Sequence, residues 1–468
     1  MPGWRWLVVG HLALLALPGA PAFAQEAAGA PRSLSASAPA GGPRSAPSPG
    51  PGGLDEPTAA TVAPTAGQAA QAEGADTKAL AKLLGLDEAP VTVYGWLQNS
   101  YTGTPGIDPR NRSTVTVFPN RLANEWQGNQ YYLVVEDPVE TGDRANLGFR
   151  VDTLLGNDWL FTKSFGLFDG AFTPRGFAGV DFPQLYGEAR LPLGENVALG
   201  VKGGRFYSPA GFESVMAVKR PLLSVPYILN FTPFTFFGAL TSLQLGERLT
   251  LVNGAVNGAD RWINSNYRYS YLGGVNWNSA DGRTTLSSMT LVGPNQLPFF
   301  PSTDPQQVPT LPVGAYTSPE LAGRRNPFYG RSTLVYHSTV ATRKWGEKKR
   351  WTQAMEAAFV TQGNVVGFGP GGKPGRISYY GGAHWLLFEA TPKVTAVSRI
   401  EVFRDDNGFV LPAADTYYEM THGLICKPRP ALWIRPEIRY DWAQFTTPYD
   451  DGTRGGQLTL AFDVIVQF

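Results

Sequence analysis

The fold class this sequence predicts is all-β, a transmembrane antiparallel β-barrel of about sixteen strands behind a disordered N-terminal segment. Three observations predict it. Apolar and polar residues alternate with period two from Val91 to Phe468, which places them on opposite faces of a sheet. The alternating segments run to about 10–13 residues, where soluble strands average about 5–6 and a tilted strand needs about 9–11 to cross a bilayer. The connections between them alternate short and long. Composition agrees by exclusion. The 468 residues carry 39 Lys+Arg against 38 Asp+Glu, a net charge of +1, and so lack the basic field that a nucleic acid partner needs. Mean hydropathy is −0.16 and only one run, near the N-terminus, is continuously apolar, which excludes a bundle of membrane-spanning helices. Cys426 is the single cysteine, so neither a disulfide scaffold nor a multi-thiolate metal site is expected.

The elements follow in chain order. Residues 1–24 read as a signal peptide: Arg5 supplies the positive start, Leu7–Leu17 the apolar run, and Ala22-Phe23-Ala24 the cleavage site. Residues 25–76 read as a linker. Of these 52 residues, 36 are Ala, Pro, Gly or Ser and none is aromatic, a composition that cannot bury enough apolar surface to offset chain entropy. Residues 77–90 hold a short helix and lead-in, with Leu80, Leu83 and Leu84 on one face. Residues 91–468 form the barrel.

Within it, strands are expected to start near residues 91, 127, 144, 184, 197, 235, 248, 268, 284, 330, 351, 376, 394, 416, 431 and 457. Short turns follow the even-numbered strands, such as PVETGD, PLGEN, LGE, SADG, KWGEKK, TPK and KPRP. Long Pro/Gly-rich connections mostly follow the odd ones, including Thr102–Trp126, Leu155–Pro183, Tyr207–Phe234 and Pro294–Pro327. Barrels of the outer membrane sort their loops in this way, short on the periplasmic side and long outside. The last strand shows the faces best: Leu458, Leu460, Phe462, Val464, Val466 and Phe468 alternate with Gln457, Thr459, Asp463 and Gln467. An Arg facing lipid at mid-bilayer costs about 2–4 kcal/mol, so Arg435 and Arg439 should face the lumen while Ile434 and Ile438 face acyl chains. The same reasoning makes Arg144, Arg150, Asp152, Arg399, Glu401, Arg435, Glu437, Arg439 and Asp441 pore-lining candidates, with Glu188, Arg190, Lys202 and Glu419 beside them. Sixteen strands should leave a water-filled interior.

Four stretches carry a resemblance: YGWLQNSYTG (Tyr94–Gly103), ANEWQGNQYYLVVEDPV (Ala123–Val139), GGRFYSPAGFESV (Gly203–Val215) with FTPFTFFG (Phe231–Gly238), and IRPEIRYDW (Ile434–Trp442). In this order and spacing the chain, from Val91 to its end, resembles the β-barrel porin-2 (OmpL-like) family of bacterial outer-membrane proteins. The resemblance implies a diffusion pore and names no solute. Phe468, which closes the last strand, is the candidate signal for the barrel-assembly machinery.

Chemistry is sparse. His337, His384 and His422 stand in no GxSxG or HExxH frame, and no enzyme is expected. Asp405–Gly408 and Asp450–Thr453 read as turns before they read as calcium loops, so no metal or cofactor is expected. The apolar connection Tyr207–Phe234 is the candidate constriction loop, with Glu213, Lys219 and Arg220 to set its charge. Trp96, Trp277, Trp345, Trp351, Trp385 and Trp442 are candidates for interfacial girdles. The expected function is a porin, a passive aqueous channel for small hydrophilic solutes. The alternative is a barrel with an adhesion or envelope-anchoring role. Expected partners are outer-membrane lipid, the assembly machinery and the solutes; a homotrimer is compatible with this reading, and nucleic acid is not.

Overall fold

The computed structural model describes residues 91–107, 119–120, 122–168, 178–264, 268–295, 331–365 and 367–468. The expected signal peptide, linker and short helix lie outside these, as does most of the connection Pro294–Pro327. The first strands are β1 (Thr92–Gly103), β2 (Glu125–Asp137), β3 (Asn146–Gly156), β4 (Gly179–Asp181), β5 (Leu185–Gly194) and β6 (Val197–Tyr207). There follow β7 (Thr235–Leu245), β8 (Leu249–Val256), β9 (Ser270–Asn278), β10 (Thr284–Pro294), β11 (Thr333–Trp345) and β12 (Trp351–Val365). The last are β13 (Gly375–Thr391), β14 (Val394–Asp405), β15 (Asp415–Arg429), β16 (Leu432–Ala443) and β17 (Gly456–Gln467). β4 and β5 pair in line along β3, Leu154 opposite Asp181 and Val151 opposite Leu185, so they make one stave and the barrel has sixteen. Each stave is antiparallel to its neighbours, and β1 pairs with both β2 and β17, which closes the sheet. Closure removes the edges that hydrocarbon could not satisfy. Apart from the three-residue β4, which has no expected start of its own, every strand begins within three residues of its expected start.

Phe468 seals the seam. Gly95 and Phe468 exchange backbone hydrogen bonds of 2.9 and 3.0 Å. The Phe468 ring covers Gly95 so closely that a methyl group there would stand 2.7 Å from its Cζ. Tight turns join the staves at one end, such as Glu195-Asn196 between β5 and β6, where Asn196 takes φ 57°, a conformation Asn tolerates. Long connections join them at the other end.

Faces follow the alternation. Leu147, Phe149, Ile434, Ile438, Leu460 and Val466 are exposed outward, while Asp152, Arg435, Arg439, Thr459 and Asp463 are buried inward. Two aromatic bands bound the outer face. Trp351 stacks on Phe388 near the tight turns, and Tyr418, Trp442 and Tyr440 stack near the long connections. Trp277, Trp345 and Trp351 are exposed there as expected. Trp96 and Trp385 are not girdle residues: both are buried inside the wall, Trp96 stacked on Tyr132 and bonded to Gln130, Trp385 bonded to Glu213. Their parity on β1 and β13 is inward, and an indole N–H with a buried acceptor is stable there.

The interior is not left to water throughout. The segment 208–234 between β6 and β7 folds inward with the short helix α2 (Tyr227–Asn230) in it. A second short helix, α1 (Trp159–Thr162), is buried with it, Phe161 meeting Phe234 edge to face at 4.9 Å. Loop residues Val215, Met216, Val225, Ile228 and Phe231 join Phe206, Phe236, Val252, Leu272, Met289 and Tyr336 of the inner wall in one apolar cluster. Expelling water from these surfaces stabilises the loop inside the barrel.

Candidate functional site

The loop 208–234 leaves β6 and returns to β7 at a pinned neck, where Ser208 N donates to Phe234 O at 2.7 Å. Pro209, Pro221, Pro226 and Pro233 keep it from continuing as strand. Without a ladder, its backbone groups need other partners, because a buried unpaired one costs about 1–3 kcal/mol. The wall supplies them. On β14, Glu401 accepts from Tyr227 N at 2.5 Å and Ile228 N at 2.6 Å, and Arg399 donates to Ser224 O at 2.8 Å. On β16, Glu437 accepts from Leu223 N at 2.8 Å and Ser224 N at 3.1 Å. Arg435 donates to Ala217 O and Arg220 O, and Arg439 to Val225 O. Asp441 accepts from the Tyr227 hydroxyl at 2.8 Å. All six predicted pore-lining residues of β14 and β16 therefore hold the loop.

A further layer neutralises that seat from behind. Arg399 pairs with Glu419 at 2.6 Å, Arg435 with Asp463 at 2.5 Å, and Arg439 with Asp441 and Glu419. The side chains of Arg399 and Arg435 are 0% exposed, so they bound no water path. Gly423 completes the fit: a methyl group there would lie 2.6 Å from Leu222 Cδ2.

The other candidates scatter. Of the constriction-loop residues, Glu213 is buried against Arg399 and Trp385, and Arg220 against Asp158. Burial pushes the Glu213 carboxyl above its ordinary value, with Arg399 opposing. It holds Arg220 below the usual guanidinium value, with Asp158 opposing. Lys219 is half-buried in the one-turn 3-10 segment Ala217–Lys219. Arg150 bridges Glu136 at 3.1 Å and Asp152 at 2.7 Å and keeps 13% of its side chain accessible. Arg144 stands exposed in the tight turn ahead of β3, away from the lumen wall. Asp405 accepts from Asn407 N, Val410 N and Leu411 N, which is turn chemistry.

Sequence reasoning missed several partners. Gln130 donates to Val215 O at 2.7 Å and accepts from Ala217 N at 3.0 Å. Glu356 of β12 accepts from Phe212 N at 2.8 Å. Their inward parity was readable; that a loop would come to meet them was not. Above the seat, Arg205 pairs with Asp181 at 2.6 Å and also donates to Thr162 O and Ser164. Beside it, Asp260 accepts from Thr235 N at 2.9 Å. Burial pushes the Asp260 carboxyl up to about 7, against the pull of the Thr235 bonds and Arg205.

The outer membrane channel DcaP of Acinetobacter baumannii superposes with a TM-score of 0.50 at 11% identity, over 81% of this chain and 97% of the other. The anion-selective porin from Comamonas acidovorans gives 0.49 at 9% identity, over 81% and 99%. OprB of Pseudomonas putida gives 0.48 at 11%, over 80% and 93%. At these identities the likeness concerns fold. Among curated proteins, none matches the sequence. The family "Putative beta-barrel porin-2, OmpL-like" matches residues 90–468, and with that match over the whole barrel the chain belongs to this family of bacterial outer-membrane porins.

Proposed function

We propose that the barrel passes small hydrophilic solutes passively, with no catalytic step, through a lumen narrowed by the loop 208–234. The observation that carries this reading is the combination of a closed sixteen-stave wall, apolar outside, with an inner loop held by side chains rather than by a strand ladder. Such a wall needs lipid around it and leaves the interior as the only polar route across. The three described histidines all stand on outward positions of β11, β13 and β15, where His337 bonds Thr290 and Thr339 and His384 bonds Gln353. None faces the lumen as a base.

The loop makes the passage narrow. Of its residues, only Pro209, Phe212, Val218 and Lys219 keep appreciable exposure. Unitary conductance should therefore be small for a sixteen-stave barrel. Phe468, at the seam with Gly95, is assigned as the feature read by the assembly machinery, and association of three copies in the membrane is compatible with the apolar outer face. Purified protein in a planar bilayer tests the proposal: stepwise, voltage-independent conductance supports it, and silence from folded protein contradicts it. Liposome swelling with sugars of graded size then sets the cut-off.

A further inference from the structure

Among the described residues, two groups of charged side chains inside the barrel stand in contrast. Those of the seat are sealed. A second group forms a continuous strip along β1, β2, β3, β5 and β6. Tyr94 donates to Glu136 at 3.0 Å. Glu136 pairs with Arg150 at 3.1 Å, and Arg150 stands opposite Tyr186 in the strand register. Lys202 Nζ lies 4.0 Å from the centre of the Tyr186 ring and 3.8 Å from Glu188. These side chains keep contact with water: Lys202 is 23% exposed and Glu188 16%, against 0% for Arg399 and Glu213. The strip also runs up to the loop, because Arg150 Nη2 donates to Met216 Sδ at 3.6 Å. Met216 immediately precedes the turn that carries Val218 and Lys219, two of the loop's four half-exposed residues.

The charges along this strip are unequally matched. The Arg150 guanidinium faces two carboxylates, Glu136 and Asp152, and spends its donors on them. Glu136 in turn is held by both Arg150 and Tyr94. Lys202 meets Glu188 only at the long distance of 3.8 Å. Among the described residues, its ammonium and that of Lys219 are two half-exposed cations inside the barrel, and an accessible charge acts on ions within about 10 Å at 0.1 M salt. We propose that permeating solutes track the β1–β6 strip and that Lys202 and Lys219 make the channel prefer small anions, carboxylates among them, with the Tyr94 and Tyr186 rings lining the same route.

This rests on the channel reading, and the test separates the two. Reversal potentials are measured across a KCl gradient in planar bilayers for the full chain, K202E, K219E and the double variant, each shown to be folded by heat-modifiable gel migration. The expected result is a chloride-over-potassium permeability ratio above one, strongest at low salt. The double Glu variant should take it below one, and K202Q/K219Q should bring it close to one. Chloride replaced by acetate should still carry current, more in the wild type than in the double variant. A wild-type preference for potassium, or ratios that do not move in either double variant, would overturn the proposal while leaving the channel in place. Silence from folded wild-type protein would remove the channel reading and this proposal with it.

Discussion

Two arcs of one wall share the alternation and the apolar outer face, yet differ inside. β7, β8, β9 and β10 contain no Asp, Glu, Lys or Arg at all. Their inward side chains are apolar toward the loop, as with Leu240, Val252, Leu272 and Met289, and hydroxyl or amide toward the tight turns. There, Gln244, Thr250, Asn276 and Ser287 stand opposite one another in a cross-strand row. On β16, by contrast, four successive inward positions are charged: Arg435, Glu437, Arg439 and Asp441. The difference teaches that, between these two arcs, charge follows the loop backbone. The β14–β17 arc meets loop backbone that has no ladder of its own; the β7–β10 arc adds Leu240, Val252, Leu272 and Met289 to the apolar cluster that the loop joins.

The comparison can be broken most forcefully at the seat. Glu401→Ala with Glu437→Ala should leave four loop N–H groups unpaired, a loss of several kcal/mol at about 1–3 kcal/mol per orphaned group. A lower unfolding temperature in heat-modifiability gels, with larger and noisier unitary conductance, is the expected outcome. Gly423→Val tests the same seat sterically. It should expel Leu222 and cost about 1–3 kcal/mol by overpacking, again with raised conductance; unchanged melting and conductance would mean the loop does not press on β15. Replacing Arg435 and Arg439 by Glu looks, from sequence alone, like a change in pore charge. With both guanidiniums bonded to loop carbonyls, the variant should instead change conductance and stability together before it changes selectivity.

Smaller effects sharpen the picture. Asp260 is pushed up to about 7 by burial. A carboxyl raised above its unfolded value of about 4 stabilises in its protonated form, so this contribution is present below pH 4 and lost as pH rises through 7. Thermal stability should fall as pH rises over that range, and Asp260→Asn should flatten the profile. Gln244→Glu, on the uncharged arc, should shift melting by less than about 0.5 kcal/mol equivalent, as surface-like substitutions do, because it anchors no loop group.

Much of this was legible in the sequence. Period two in β16 and β17 assigned lipid and lumen faces, since a paired Arg435 and Arg439 have no tolerable place in hydrocarbon. Turn chemistry at Glu195-Asn196 and the proline-rich returns set strand ends. The apolar excess of the segment 208–234 marked it as packed against something, either inside the pore or over the outer rim. What alternation could not convey is what an inward residue touches. Parity places Glu401 and Glu188 alike inside the barrel, but one meets the Tyr227 and Ile228 amides and the other stays near water. It separates an inward Trp385 from an outward Trp351, but it cannot say that the Trp385 indole will find Glu213 of the loop as its acceptor.

Amide hydrogen exchange resolved to single residues, on the folded barrel in detergent, tests the central claim most directly. Leu223, Ser224, Tyr227 and Ile228 should exchange as slowly as the amides of β16, and should become fast in the Glu401→Ala, Glu437→Ala protein while β16 stays protected. Exchange of these four amides within seconds in the unaltered protein would contradict the account, for it would put the loop in water and return the charged arc to the pore.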